Sequence, residues 1–167
     1  MDQLWAPWRM QYIQGIDKKD EGCVFCTKPS EQDDRKNLIL FRGKKSFVLM
    51  NLFPYNNGHL MVIPYVHTSD IITLDVQTSN EIWELLCLSK EVLTKAFKPE
   101  GFNIGMNIGR PAGAGIDQHI HLHIVPRWSG DTNFIPVLSD TKVISQALFD
   151  TYDALFPHFQ SIGDISC

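Results

Sequence analysis

Three of the chain's six histidines fall on alternate positions in "QHIHLHIVPRW", Gln118 to Trp128, where His119, His121 and His123 are spaced by Ile120, Leu122 and Ile124. Successive side chains of a strand point to opposite faces, so the three imidazoles share one face, roughly 7 Å apart, while the apolar set anchors the other in a core. Imidazole titrates close to neutrality. A row of such rings therefore suits either metal ligation by neutral nitrogens or nucleophilic and acid–base work. The bland alternative is a polar strand face that merely meets water; strict alternation of three histidines behind a glycine-rich loop weighs against it. A cupin-like metal site also starts from HxH, but it needs a carboxylate soon afterwards, and residues 124 to 130 contain none.

Two further stretches carry chemistry. In "CVFC" the two-residue spacing lets the thiolates of Cys23 and Cys26 reach one tetrahedral zinc, which makes half a site; two reduced core cysteines are the alternative. Cys87 lies in a helical stretch and Cys167 is the last residue, so the four cysteines do not form a disulfide framework. In "GRPAGAG", directly before the histidines, Gly113 and Gly115 let the backbone approach a ligand and aim N–H groups at developing negative charge, or simply shape a turn. No GxxxxGK[ST] occurs, which argues against a P-loop NTPase.

A chain of 167 residues that is 44% hydrophobic can bury one real core, and a single domain over 1–167 is expected. Fifteen Lys and Arg against nineteen Asp and Glu give no general attraction to nucleic acid or to an anionic membrane. "MDQLWAPWRMQYIQ" has no apolar run, and no later segment reaches the length of a membrane span, so a cytoplasmic protein is expected. The polar run "KPSEQDDRKN" reads as a mobile loop. From Asn37 the texture becomes strand-like: "LILF", "FVLMN" and "HLMVIP", joined by the turn-like "RGKKS" and "PYNNG", read as two hairpins in series. "TSNEIWELLCLSKEVLTKAFKPEG" changes period to 3.6, with Ile82, Leu85, Leu86, Leu93, Ala96 and Phe97 on one face. Thr78 with Glu81 three residues on is a candidate capping box, and Pro99 with Gly101 ends the helix. "FNIGMNIG" and "HIHLHIV" supply two more strands, and "VISQALFDTYDALF" a C-terminal helix. About five strands and two helices, strand beside strand, predict an α+β domain with an antiparallel sheet.

"HIHLHIVP" resembles the motif of the histidine triad (HIT) superfamily, and "NNGHLMVIPYVH" resembles the same family's strand with Gly-His at its start and Pro-x-x-His at its end. The likeness spans about residues 23–128. "LWAPWRMQYI", "CVFC", "FNIGMNIGRPAGAG" and "VPRWSGDTNFIPV" look more specifically like the microbial branch related to diadenosine tetraphosphate phosphorylases and hydrolases. The resemblance implies a HIT-like fold and a nucleotidyl hydrolase or transferase cleaving dinucleoside polyphosphates, with His121 as the nucleophile forming a covalent nucleotidyl-histidine. His123 would contact phosphate or the leaving group. It implies Asn51 on the ribose and Leu52 on the base, although a turn former and a core leucine are the plain readings. Among relatives with a CxxC, zinc is completed by the Pro-x-x-His and the first triad histidine, here His67 and His119, giving a structural site. His59 could be structural or phosphate-facing, and Trp128 could stack on a second base or sit in the core. Many relatives place Ser or Gln in the glycine loop where this chain has Ala114 and Gly115; Asn107 is the candidate substitute. Family members usually form homodimers through the main helix and an edge strand, and Leu88, outside the main helical face, is compatible with a second buried surface. A nucleoside 5′-phosphoramidate hydrolase and a nucleotide-binding protein with incidental activity are the competing functions; a wall formed by "SGDTNFIPV" would favour the larger substrate.

Overall fold

The computed structural model describes residues 22–131 and 146–161. The paired tryptophans of "LWAPWR", most of "SGDTNFIPV", the start of the C-terminal helical stretch and Cys167 lie outside the described residues. Alternating and continuous apolar runs make the strands β1 (Ile39–Arg42), β2 (Ser46–Met50), β3 (Leu60–Pro64), β4 (Gly101–Met106) and β5 (Leu122–Arg127). They form one antiparallel sheet in the order β1-β2-β3-β5-β4, so the two expected hairpins are present and β5 is inserted between β3 and β4. β2 and β3 are buried at every position, as central strands covered on both faces must be.

Four α-helices lie among the described residues: α1 (Val24–Ser30), α2 (Asp34–Asn37), α3 (Val76–Phe97) and α4 (Leu148–Gln160). α3 is the helix expected from the 3.6-residue period, and Leu85 and Leu93 are wholly buried in its apolar face. Each contributes about 1.5–3 kcal/mol by leaving water. α4 packs on β1 and α3, where the buried Tyr152 hydroxyl donates to the Ile39 carbonyl at 2.9 Å. Gly58, at φ +71, allows the β2–β3 connection to pass under α3: a Cβ there would meet Leu93 at 3.0 Å and Phe97 at 3.3 Å.

The structure departs from the sequence expectations in four places. "KPSEQDDRKN" is largely helical, because α1 runs through Lys28–Ser30 and the Asp33 carboxylate caps α2 by accepting from the Lys36 amide at 3.1 Å. α3 starts before Thr78: Asp75 is its N-cap and accepts from the Thr78 amide at 2.7 Å. Glu81 leaves the helix end altogether and accepts from the amides of Lys44 and Lys45 at 2.8 and 2.6 Å, closing the β1–β2 turn. Leu88 is 6% exposed and belongs to the chain's own core; the apolar residues α3 presents outward are Val76 and Trp83. Finally, the β5 ladder begins at Leu122 rather than at His119. The Pro64 carbonyl is taken by the side chain of His119 at 2.8 Å, and the Ile120 amide donates to Thr68, so the lead-in to β5 is held by bonds outside the ladder.

Candidate active site and metal centre

Four side chains from three parts of the chain converge beyond the end of the β3–β5 seam, where β3 finishes and β5 begins. Cys23 is the N-cap of α1 and Cys26 lies in its first turn; His67 follows β3; His119 precedes β5. Their ligand atoms all lie within 4.8 Å of one another. Cys23 Sγ is 3.3 Å and Cys26 Sγ 3.6 Å from His119 Nδ1, Cys26 Sγ is 3.4 Å from His67 Nδ1, and the two Nδ1 atoms are 3.3 Å apart. A zinc ion with bonds of about 2.3 Å to sulfur and about 2.0–2.1 Å to nitrogen has tetrahedral edges of roughly 3.6 Å for S···N and roughly 3.3 Å for N···N. These four groups could therefore hold such an ion with little movement. The Pro64 carbonyl orients the His119 ring for ligation. Because a carbonyl only accepts, Nε2–H donates to Pro64 and Nδ1 is left with its lone pair toward the sulfurs. Desolvation, and then the neighbouring Cys23 sulfur, push the Cys26 thiol above its ordinary value, as befits two sulfurs that ionise together only around a cation.

The other two triad rings form a second, separate arrangement. His121 Nδ1 donates to the carbonyl of His119 at 2.9 Å, which fixes the proton there and leaves the lone pair on Nε2. The ring is 5% exposed, and burial lowers its pKa despite the partial offset of that bond. His121 is thus neutral near pH 7, with one unprotonated nitrogen, and its ring centroid is 4.8 Å from that of His123. His123 is oriented in turn by His59. The His59 Nδ1 accepts from the Tyr55 amide at 3.0 Å, so its Nε2 carries the proton and donates to His123 Nδ1 at 2.9 Å. His123 consequently bears its own N–H on Nε2. A neutral acceptor and an N–H donor, on adjacent rings, are what attack on phosphorus and hydrogen bonding to a departing oxygen require.

Three residues of this arrangement carry no role in the sequence reading or an open one. Phe25, inside "CVFC", is 3% exposed and packs on both His119 and His121, with centroids at 5.6 and 5.0 Å. Tyr55 covers His59 and His123 at 4.7 and 5.9 Å. His59 is the fourth imidazole of the site. The signal for it was its place at the start of β3, opposite the strand that bears His123.

The expected nucleotide-binding residues are distributed unevenly. Asn51 is half-buried, accepts from the Phe53 amide at 3.0 Å, and places its Nδ2 3.3 Å from His59 Nδ1. It is therefore a turn former that also touches the site. Leu52 is 52% exposed, so it is not a core leucine. Both border a cavity of about 380 Å³ that His59 also lines, between the β2–β3 connection and the start of α4; none of the three triad rings lines it. Asn107 reaches toward the glycine loop, its Nδ2 3.5 Å from the Gly113 carbonyl. The Gly113 amide is spent on the Arg110 carbonyl at 2.9 Å, which removes it as an oxyanion donor, whereas Gly115 lies beyond this turn. Trp128 is half-buried just past the far end of β5, seven residues or about 23 Å of strand from His121, and the fold does not bring the two together.

A five-stranded antiparallel sheet presenting this imidazole row defines a histidine triad protein. The HIT domain family matches residues 32–130, and the chain belongs to it. The AP-4-A phosphorylase of Mycobacterium tuberculosis strain H37Rv is 38% identical over 157 residues, covering 90% of this chain and 80% of that protein. The adenosine 5'-monophosphoramidase hnt1 of Schizosaccharomyces pombe is 33% identical over 105 residues, covering 63% and 74%. Among solved structures, a Zn-bound histidine triad family protein from Mycobacterium smegmatis matches in fold with a TM-score of 0.66 at 22% identity, covering 84% of this chain and 94% of that one.

Proposed function

We propose that this HIT-family chain is a nucleotide-processing enzyme that cleaves dinucleoside polyphosphates such as diadenosine tetraphosphate, by hydrolysis or phosphorolysis, through a nucleotidyl adduct on His121. The observation that carries the reading is the pair of fixed tautomers, a lone pair on His121 Nε2 beside an N–H on His123 Nε2. His121 Nε2 forms the bond to the α-phosphorus while the bond to the departing polyphosphate oxygen breaks. His123 Nε2–H donates a hydrogen bond to that oxygen, which departs as the polyphosphate anion. The cation that develops on His121 is held by the His119 carbonyl. Water or inorganic phosphate then attacks the same phosphorus, and the P–N bond breaks with its electron pair returning to His121 Nε2. Any proton of the attacking water passes to solvent, and the nucleotide is released. The similarity to the mycobacterial AP-4-A phosphorylase over 90% of the chain supports this substrate class.

Asn51 would hold the ribose and Leu52 the base, Asn107 and Gly115 would face the phosphates, and Trp128 would serve a base only at some distance from the triad. Cys23, Cys26, His67 and His119 would bind zinc in a closed four-ligand site, where the ion supplies structural cross-linking rather than chemistry. The whole chain acts as one domain. A homodimer through β4 is supported by its position at the sheet edge and by Ile104, 46% exposed on it. Among the described residues no helix is long and apolar enough to cross a membrane, which is in keeping with a cytoplasmic enzyme. The similarity to hnt1 favours a second reading, a nucleoside 5′-phosphoramidate as substrate of the same nucleophile.

Product analysis on diadenosine tetraphosphate with and without inorganic phosphate tests the proposal. ADP plus ATP means phosphorolysis and AMP plus ATP hydrolysis, each by attack at the α-phosphorus. Two ADP, or unchanged turnover in His121→Ala, would remove the mechanism.

A further inference from the structure

We propose that Arg110 is the cation that receives the phosphates beyond the α-phosphorus and sets the preference for polyphosphate substrates. The inference rests on the function proposed above for its substrate, but on separate residues for its geometry.

A polyphosphate brings several negative charges to a chain whose own net charge is −4. The triad does not answer them: His121 presents a lone pair and His123 a neutral N–H. The fifteen residues from Asn107 to His121, which join β4 to the nucleophile, contain one cation, Arg110, and one carboxylate, Asp117. Their position follows from the sheet. Gly105 pairs with His123 and Met106 with Leu122, so the chain leaves β4 alongside His121, one interstrand spacing away, about 4.8 Å. Gly109, at φ +80, then turns it into the short 3₁₀ segment Arg110–Ala112, closed by the bond from the Gly113 amide to the Arg110 carbonyl. Arg110 therefore stands on the rim of the loop that borders the nucleophile, four residues past the last β4 pair.

Asp117, two residues before His119, fixes the side chain: its Oδ2 accepts from Arg110 Nε at 3.0 Å. The contact engages one donor of the fork. The two terminal nitrogens are not part of it, and the planar pair suits two phosphate oxygens at once. Three other cations among the described residues are committed elsewhere. Lys28, three residues after Phe25, donates to the Asn37 carbonyl at 3.1 Å; Arg42 is paired with Asp34; Arg127 is paired with Asp131 at the far end of β5. A tetraphosphate attacked at its α-phosphorus by His121 thus has, on the loop that borders the nucleophile, the Arg110 guanidinium toward which its leaving end can run.

The test uses the full chain, with Arg110→Gln and Arg110→Lys. Calorimetric titration with inorganic tripolyphosphate should show binding to the parent chain, at least tenfold weaker binding to Arg110→Gln, and partial retention in Arg110→Lys. In steady state, the ratio of kcat/KM for diadenosine tetraphosphate to that for adenosine 5′-phosphoramidate should fall at least tenfold in Arg110→Gln. Equal tripolyphosphate affinity in parent and variant, or no binding to either, overturns the assignment. So does an unchanged ratio, which would leave the proposed enzyme standing. A parent chain that turns over neither substrate defeats the proposed function instead, and the tripolyphosphate comparison then decides the role of Arg110 by itself.

Discussion

His59 offers a substitution pair that separates packing from proton placement. Its Nδ1 accepts from the Tyr55 amide and its Nε2 donates to His123, in a position 1% exposed. Asparagine reproduces an acceptor at the Nδ1 position but nothing reaches His123; glutamine places an N–H where Nε2 was but leaves the Tyr55 amide without its acceptor. Each variant orphans one polar group, at about 1–3 kcal/mol. For a chain of this size that lowers Tm by roughly 2–4 °C per kcal/mol, so the two should melt at similar temperatures. Their turnover should differ. The bond that holds the His123 tautomer is worth about 0.5–1.5 kcal/mol net, and tenfold in rate is about 1.4 kcal/mol, so His59→Asn should lose up to about tenfold in kcat. His59→Gln should lose less than half of its kcat. A loss of 10²-fold or more in His59→Asn would mean that the His123 N–H is no longer presented to the leaving oxygen at all. Stopped assays on diadenosine tetraphosphate, paired with thermal melts, supply both readouts. Equal kcat in the two variants would refute the argument that His59 sets the proton on His123.

Further outcomes follow from the same geometry. Metal analysis of untagged protein should find one zinc per chain, lost in Cys23→Ser together with a fall in Tm; a metal-free parent with the same melting behaviour as the variant would count against the site. Because burial lowers the His121 pKa from 6.5, kcat/KM should hold as pH falls through 6.5 and decline only below it. The same shift makes the unfolded chain bind the extra proton first, so the His121 contribution to stability is present above pH 6.5 and is lost as pH falls toward the folded-state pKa; a pH series of melts checks the sign. Phe25→Leu, which removes the ring against His119 and His121 but keeps apolar bulk, should reduce kcat with zinc content unchanged, whereas Phe25→Ala should cost about 3–5 kcal/mol in denaturant titrations.

Much of the architecture was legible in the residues, and for identifiable reasons. β2 and β3 are continuous apolar runs bounded by turn residues, and α3 keeps one apolar stripe over 22 residues, so local pattern and tertiary burial agree. The elements that were misread are those settled by a single capping or captured bond. α2 is four residues long and depends on Asp33; the start of α3 turned on Asp75 competing with Thr78 for the cap; Glu81 found better donors in a turn 36 residues away. In the site, the alternation of histidines gave the shared face but not the division of protons. That division comes from the Pro64 and His119 carbonyls and from the Tyr55 amide, backbone groups that no side-chain pattern encodes. Phe25 was hidden for a related reason: its two flanking cysteines drew the motif's meaning toward metal, and its contact with His121 spans most of the domain's sequence.

The late start of β5 has a mechanical consequence. His121 sits one residue ahead of the first rung of the sheet, on a short tether fastened by the Ile120 amide to Thr68 and by the His119 ring to Pro64. A ring that closes on phosphorus and withdraws, as the mechanism proposed above asks of His121, has to travel. Under that mechanism, such travel would load these local fastenings and the His121 Nδ1 bond to the His119 carbonyl rather than a rung of the ladder, while His123, inside β5, would stay as the fixed reference.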